Sequence, residues 1–299
     1  MKNQNNAPKI SIVTPSLNQS SFLEETIESV VSQNYPNLEY VVIDGGSTDG
    51  SLDIIKKYQN HLTYWVSEKD RGHAHALNKG FSKTSGEIMA WINSDDKYTP
   101  WAFDTVSKIF TKFPKVMWIV GFNAWWNSDG AMTHAERIKK NIYDFLIGNH
   151  LWIQQESVFW RRSLWEKAGG HIEENYQFMI DGELWTRFFL HAELYTVDCI
   201  LSGYRFHDTN RVKLNYQTCL REMDSAVSDL KKNCAEDVLK MANRLKKVKK
   251  IVKNPAAKAL SLETLFRKSL YKKEYSAANY KNIFFKDGQW HERILPFLV

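Results

Sequence analysis

The sequence predicts an α/β fold, and three observations carry that expectation. Apolar β-rich runs alternate with helical patterns over residues 10–92, each run ends in a polar loop, and 43% of the 299 residues are hydrophobic. Strands alternating with helices imply a parallel sheet covered on both faces. In such sheets ligands gather beyond the carboxyl ends of the strands, where these polar loops fall.

The first strand, residues 10–14, stops at Pro15-Ser16-Leu17-Asn18. Residues 22–33 then place Phe22, Leu23, Ile27, Val30 and Val31 on one helical side. A second strand, 39–43, ends in Asp44-Gly45-Gly46-Ser47-Thr48-Asp49-Gly50, and residues 51–58 read as a helix. A third strand spans 62–66, a polar loop 67–73, and a helix 74–81. The apolar run 87–92 delivers Asn93-Ser94-Asp95-Asp96. An adjacent carboxylate pair at a strand end either holds a divalent cation, with a substrate phosphate completing the shell, or forms a solvated acidic turn.

A nucleotide sugar needs a group for the base edge and a cation for its diphosphate. Asp44 suits the first, since a carboxylate accepts from a base N–H and Gly45 and Gly46 let the backbone approach a flat ring. The same glycines also suit a tight turn capping the helix at 51. Asp95 and Asp96 suit the second, with their individual roles open. Seven of the eleven tryptophans, from Trp101 through Trp118, Trp125, Trp126, Trp152 and Trp160 to Trp165, suit either sugar stacking or core packing.

These pieces, in order, resemble the family 2 glycosyltransferases of the GT-A fold, inverting enzymes of bacterial polysaccharide and glycolipid synthesis. The resemblance rests on Val13-Thr14-Pro15-Ser16-Leu17-Asn18, the Asp44 to Gly50 loop, Asp70-Arg71-Gly72 with Leu77-Asn78-Lys79-Gly80, and Asn93-Ser94-Asp95-Asp96. It continues through Gln154-Gln155-Glu156-Ser157-Val158-Phe159 and Met179-Ile180-Asp181-Gly182-Glu183-Leu184-Trp185. It implies a Rossmann-like mixed sheet flanked by helices, with a C-terminal helical appendage. It departs from the family at Gly45, where a second Asp is commoner, and at Asn93, where a carboxylate is often found.

The expected site follows from the resemblance together with the chemistry above. Donor contacts come from Thr14, Pro15, Ser16, Asn18, Asp44, Gly45, Arg71, Asn78, Asn93 and Asp95. Metal ligands, for Mn2+ or Mg2+, come from Asp95, Asp96 and His207. Asp181 is the candidate base, with Glu183 as the alternative and helix capping as its bland role. Gln155, Glu156, Trp126 and Glu183 face the acceptor, while Arg71, Lys79 and Arg205 are candidates to neutralise the leaving diphosphate.

The implied reaction moves a sugar, from a UDP-sugar, to a saccharide or lipid-linked acceptor in cell-surface glycan synthesis. A sugar-nucleotide nucleotidyltransferase is the competing class, but the loop Pro15 to Ser20 has neither the glycine nor the basic residue that class uses on phosphate. A non-catalytic nucleotide-sugar-binding relative is the third, opposed by the presence of Asp95, Asp96 and Asp181.

Charge divides the chain. Residues 1–210 hold 20 Lys plus Arg against 25 Asp plus Glu, and residues 211–299 hold 20 against 9. The expected division is a catalytic domain at 1–210, nucleotide part 9–97 and acceptor part 98–210, with a basic helical region at 211–299. Its stripe 235–253 suits either an anionic membrane surface or packing on the domain; nucleic acid is not an expected partner. No run of about 18 apolar residues occurs. The polar residues 1–9 and three cysteines without metal spacing suit the cytoplasm, peripheral on the inner membrane face if the stripe binds lipid.

Overall fold

A computed structural model describes residues 7–150, 153–208, 210, 215–252 and 273–297. Trp152 and Lys253 lie outside them. Strands β1 (Ile10–Ser16), β2 (Leu38–Asp44), β3 (Tyr64–Ser67) and β4 (Ile88–Trp91) run parallel in the spatial order β4-β1-β2-β3. Helices α1 (Leu23–Val31), α2 (Ser51–Tyr58) and α3 (His73–Phe81) make the crossovers. α1 buries Leu23, Ile27 and Val30, the stripe its sequence spacing dictates, and each such side chain contributes about 1.5–3 kcal/mol. α3 approaches the sheet closely because residue 80 is glycine; a β-carbon there would overlap Val13 Cγ1.

Past β4 come β5 (Lys97–Tyr98), α4 (Ala102–Lys112), β6 (Trp118–Val120), β7 (Asn123–Trp126), β8 (Met132–Glu136) and α5 (Ile142–Leu146). They are followed by β9 (Val158–Arg161), α6 (Arg162–Lys167), α7 (Ile180–Phe189), β10 (Leu194–Val197) and β11 (Ser202–Arg205). β9 inserts antiparallel between β4 and β6, so the sheet is mixed rather than parallel throughout. A smaller sheet, β5-β11-β7-β8, carries the segment leading to His207.

The tryptophan-rich stretch serves mainly the core. Trp91, Trp118, Trp160 and Trp185 are fully buried, with the Trp91 and Trp160 rings 5.6 Å apart and Trp91 stacked on Trp185 at 5.8 Å. Trp101 alone among the described members of the 101–165 group is strongly exposed. Rings of this size bury large area, and edge-to-face pairs add to it.

The C-terminal region departs from the helical appendage expected. α8 (Tyr216–Asn233) and α9 (Glu236–Val252) are helices, but β12 (Tyr280–Lys286) and β13 (Gln289–Leu295) form a hairpin that extends the central sheet, β12 lying parallel to β10. Its turn is Asp287-Gly288, with φ of 49° and 75°. Two positive φ values match the strand twist, and Asp-Gly favours that turn. The apolar stripe of α9 faces inward: Ala242, Leu245 and Val248 are buried, and α9 packs on α5. Arg244, Lys246, Lys247 and Lys250 remain exposed. Among the described residues no helix is long and apolar enough to cross a membrane.

Candidate active site

The strand order β4-β1-β2-β3 lines up four carboxyl-end loops in a row: Asn93 to Asp96, Ser16 to Asn18, Asp44 to Ser47, and Ser67 to Gly72. The middle loops are stitched together. Gly45 N–H donates to Ser16 O at 2.8 Å, Asn18 N–H to Ser47 Oγ at 2.8 Å, and Thr48 N–H to Asn18 Oδ1 at 2.9 Å. Asn18 holds a φ of 53°, which its short amide side chain tolerates.

Asp44 is fully buried and spends its carboxylate on this stitching. Oδ2 accepts from Gly46 N–H (3.1 Å), Ser47 N–H (2.9 Å) and Ser67 O–H (2.6 Å), while Oδ1 accepts from Ser47 O–H. The carboxylate beside it at the cleft is Asp70, whose Oδ1 accepts from Gly72 N–H at 2.8 Å and whose Oδ2 lies against Gly45. Thr14 is buried beneath the site, paired with Tyr40 at 3.1 Å, and Pro15 is likewise buried. Asn78 holds the backbone of Ile172 through both amide atoms, and Arg71 pairs with Glu174 at 2.9 Å. These four therefore build the site's walls.

Asp95 and Asp96 divide their labour. Asp96 is fully buried, its Oδ1 accepting from Arg205 N–H at 2.8 Å and its Oδ2 from Asn93 at 3.3 Å. Burial, then the charges of Asp95 and Glu156, push its carboxyl well above the usual range. Asp95 instead presents Oδ2 to His207 Nε2 at 3.0 Å. Two cis ligands at about 2.1 Å from an octahedral ion stand about 3 Å apart, so this pair matches a divalent cation in spacing, provided that Asn210 Nδ2, 3.0 Å from the same His207 Nε2, gives way. Carboxylate with imidazole suits Mn2+ better than an all-oxygen ion. Among the described residues no cluster of three or more His, Cys, Asp or Glu stands ready for a metal.

Arg205, expected to neutralise phosphate, is buried and does something else. Its Nε–H donates to Asp95 O at 2.6 Å, one terminal N–H to Ser128 O at 3.0 Å, and the other to Glu25. It thereby fixes the Asp95-Asp96 loop from behind. Lys79 pairs with Glu68.

On the acceptor side, Glu183 is bound by Arg187 through both oxygens at 2.7 Å, which removes it as the alternative base. Trp126 is buried beneath Lys97 and against Gly203, in the wall of a separate cavity of about 710 Å³ behind the Asp95-Asp96 loop. Glu183 is thus held by an ion pair and Trp126 is largely buried, so neither is presented openly to an acceptor. Gln155 donates to Trp91 O at 2.6 Å. Glu156 is buried, and burial, with the charges of Asp181 and Asp95, raises its carboxyl to about 8. Asp181 is the second residue of α7; burial raises it to about 6 against the pull of the Gly182 and Asp181 N–H groups.

Four buried polar atoms at this edge have no hydrogen-bond partner among the described residues: Ser16 Oγ, Asn93 Oδ1, Gln155 Oε1 and Glu156 Oε1. Buried polar atoms are nearly always satisfied, so four orphans along one strand edge mark where a polar ligand belongs.

The sheet order and its flanking helices define an α/β fold of the GT-A type. The description of glycosyl transferase family 2 matches residues 11–193, and the chain belongs to that family. It is 36% identical over 106 residues to TuaG of Bacillus subtilis (strain 168), a glycosyltransferase assigned to teichuronic acid biosynthesis; the match covers 34% of this chain and 40% of that protein. The fold resembles S. aureus TarS in complex with UDP-GlcNAc (TM-score 0.59, 15% identity, 77% of this chain and 70% of that one). It also resembles the mannosyltransferase PcManGT from Pyrobaculum calidifontis in complex with GDP-Man and Mn2+ (TM-score 0.53, 20% identity, 91% and 83%).

Proposed function

We propose that the protein is an inverting, Mn2+-assisted glycosyltransferase that moves a sugar from a UDP-sugar to a saccharide or lipid-linked acceptor in cell-surface polysaccharide synthesis. The observation that carries this reading is the Asp95–His207 pair, 3.0 Å apart at the carboxyl end of the sheet, with His207 largely buried. TarS and TuaG support the UDP donor and the polysaccharide setting, and the Mn2+ in PcManGT supports the ion.

In this reading Asp95 and His207 hold the cation, which when bound offsets charge on the diphosphate. Asp70 meets the base edge, where Asp44 is already engaged. Asp181 accepts the proton of the acceptor hydroxyl, whose oxygen bonds to the anomeric carbon as the bond to the diphosphate oxygen breaks and UDP leaves. A single displacement from the opposite face inverts the centre. A carboxyl raised to about 6 is still ionised at pH 7 and is a stronger base than an exposed Asp. The exposed lysines of α9 favour an anionic membrane surface by charge alone.

A thermal-shift screen of the protein against UDP, GDP and their sugars, with and without Mn2+, tests the donor class. A Mn2+-dependent shift with UDP compounds supports the reading; a shift with GDP compounds alone, or none that needs metal, overturns it.

A further inference from the structure

Helix α8 begins beyond the family-matched segment, which ends at residue 193, yet it reaches the head of α7. Glu222 is the point of contact. Its Oε1 accepts from Gln177 N–H at 2.9 Å, and its Oε2 from Phe178 N–H at 3.0 Å and Met179 N–H at 2.9 Å. Met179 is the N-cap of α7 and offers no side-chain cap of its own. The carboxylate of Glu222 thus supplies the acceptor that the helix terminus lacks, from an element forty residues further along the chain (|i−j| 43 from Met179).

The next residue closes the same joint. Met223 is fully buried against Gly182, where a β-carbon would overlap its Sδ. Asp181 lies between these two contacts, one residue from Gly182 and two from Met179. Fixing three successive N–H groups before α7 and the glycine after Asp181 leaves the Asp181 backbone no independent freedom. The backbone from which its side chain projects is thus held by α8.

We infer that Glu222 is a positioning residue for Asp181, holding the 177–179 backbone so that the base carboxylate points at the acceptor. The inference rests on Asp181 being the base. Three titratable groups act on or feel Asp181: Glu222 and Cys219 from α8, and Glu156 from the turn Gln155–Ser157. Of these, the Glu222 charge is the one that raises Asp181 besides burial. A cap that only stabilised the fold would lower the melting temperature and leave turnover as it was.

The test uses the full chain labelled with carboxyl-13C aspartate, the Asp181 signal being assigned by its loss in Asp181→Asn. Glu222→Ala removes the acceptor and Glu222→Gln keeps one oxygen without the charge. In both, the Asp181 midpoint is expected to fall, because a like charge has gone. UDP release from UDP-glucose, UDP-galactose and UDP-N-acetylglucosamine, with water as acceptor, is measured in parallel. Glu222→Ala is expected to lose about tenfold or more in kcat with the donor KM little changed, and Glu222→Gln less. The titration reports only the lost charge; the fall in kcat at little-changed KM, smaller in Glu222→Gln, reports the lost positioning. A folded Glu222→Ala protein with wild-type kcat overturns the inference whatever its Asp181 midpoint. If Asp181→Asn itself keeps wild-type UDP release, the base assignment has failed instead.

Discussion

Asp70 lays its carboxylate against Gly45, so closely that a β-carbon on residue 45 would stand 2.9 Å from Oδ2. The loop after β3 therefore brings a carboxylate against the residue that follows β2. Glycine at 45 and aspartate at 70 are two halves of one arrangement, since any side chain at 45 would displace Asp70.

Asp70→Ala is expected to weaken UDP binding by about tenfold or more, the scale of one hydrogen bond to a charged group. Gly45→Ala should weaken it in the same direction by pushing the carboxylate away. Calorimetric titration with UDP at saturating Mn2+ measures both. Wild-type affinity in Asp70→Ala would return base recognition to Asp44.

His207→Ala should abolish the part of the UDP-induced thermal shift that depends on Mn2+ and spare the part that does not. A ligand at a hundred times its Kd adds about 2.7 kcal/mol, so the loss is readily seen. Asp95→Asn is expected to behave likewise. Asp96→Asn should differ, because Asp96 is engaged with Arg205 N–H and Asn93. Its main effect should be a lower melting temperature without ligand. Equal ligand-free melting temperatures for the Asp95 and Asp96 variants would sink this division.

Glu156 gives the molecule a pH dependence of defined sign. Its carboxyl is raised to about 8 when folded and returns to the ordinary range, near 4.5, when unfolded. The folded state thus binds the extra proton between those values, and stability contributed by this group is full below about 4.5 and lost as pH rises through 8. In metal-free buffer, Glu156→Gln should flatten the decline of melting temperature between pH 6.5 and 8. Asp181 and Asp144, each raised to about 6, contribute mainly below that window. Parallel profiles for wild type and variant would show that Glu156 is ionised throughout.

Local pattern made β1 to β4 and α1 to α3 legible, because each needs only its own apolar spacing and a neighbour of the same kind. The strand-end loops were legible for the same reason; Asp95, His207 and Asp181 came with the resemblance to family 2, and their roles are what the variants above test. What local pattern could not show is which polar side chains are already spoken for. Asn78 and Arg205 carry site-like chemistry, but partners far along the chain decide their roles, while Asp44 and Glu183 are engaged chiefly by neighbours within four residues. The Glu25–Arg205 pair spans 180 positions. Glu222 had no local signal at all, being one acid on a polar helix face. The Asp287-Gly288 turn was a readable hairpin signal, hidden only by the lysine-rich helix that precedes it.

The hairpin changes how the basic tail must be tested. Removing residues 211–299 would strip β12 from β10 and α8 from α7, so loss of vesicle binding in such a truncation would report unfolding. Replacing Arg244, Lys246, Lys247 and Lys250 with glutamine keeps Leu245 and Val248 in place, since those four side chains are exposed. With the apolar stripe turned inward, attachment has only charge to draw on, worth about 1 kcal/mol per basic residue near an anionic surface. The quadruple variant should keep the wild-type melting temperature and lose most of its flotation with phosphatidylglycerol vesicles. The wild type should lose the same binding at high salt, where the screening length falls to about 3 Å at 1 M. Salt-resistant binding by both proteins would place the contact elsewhere, with the half-exposed Phe285 and Ile294 of the hairpin as the next residues to change.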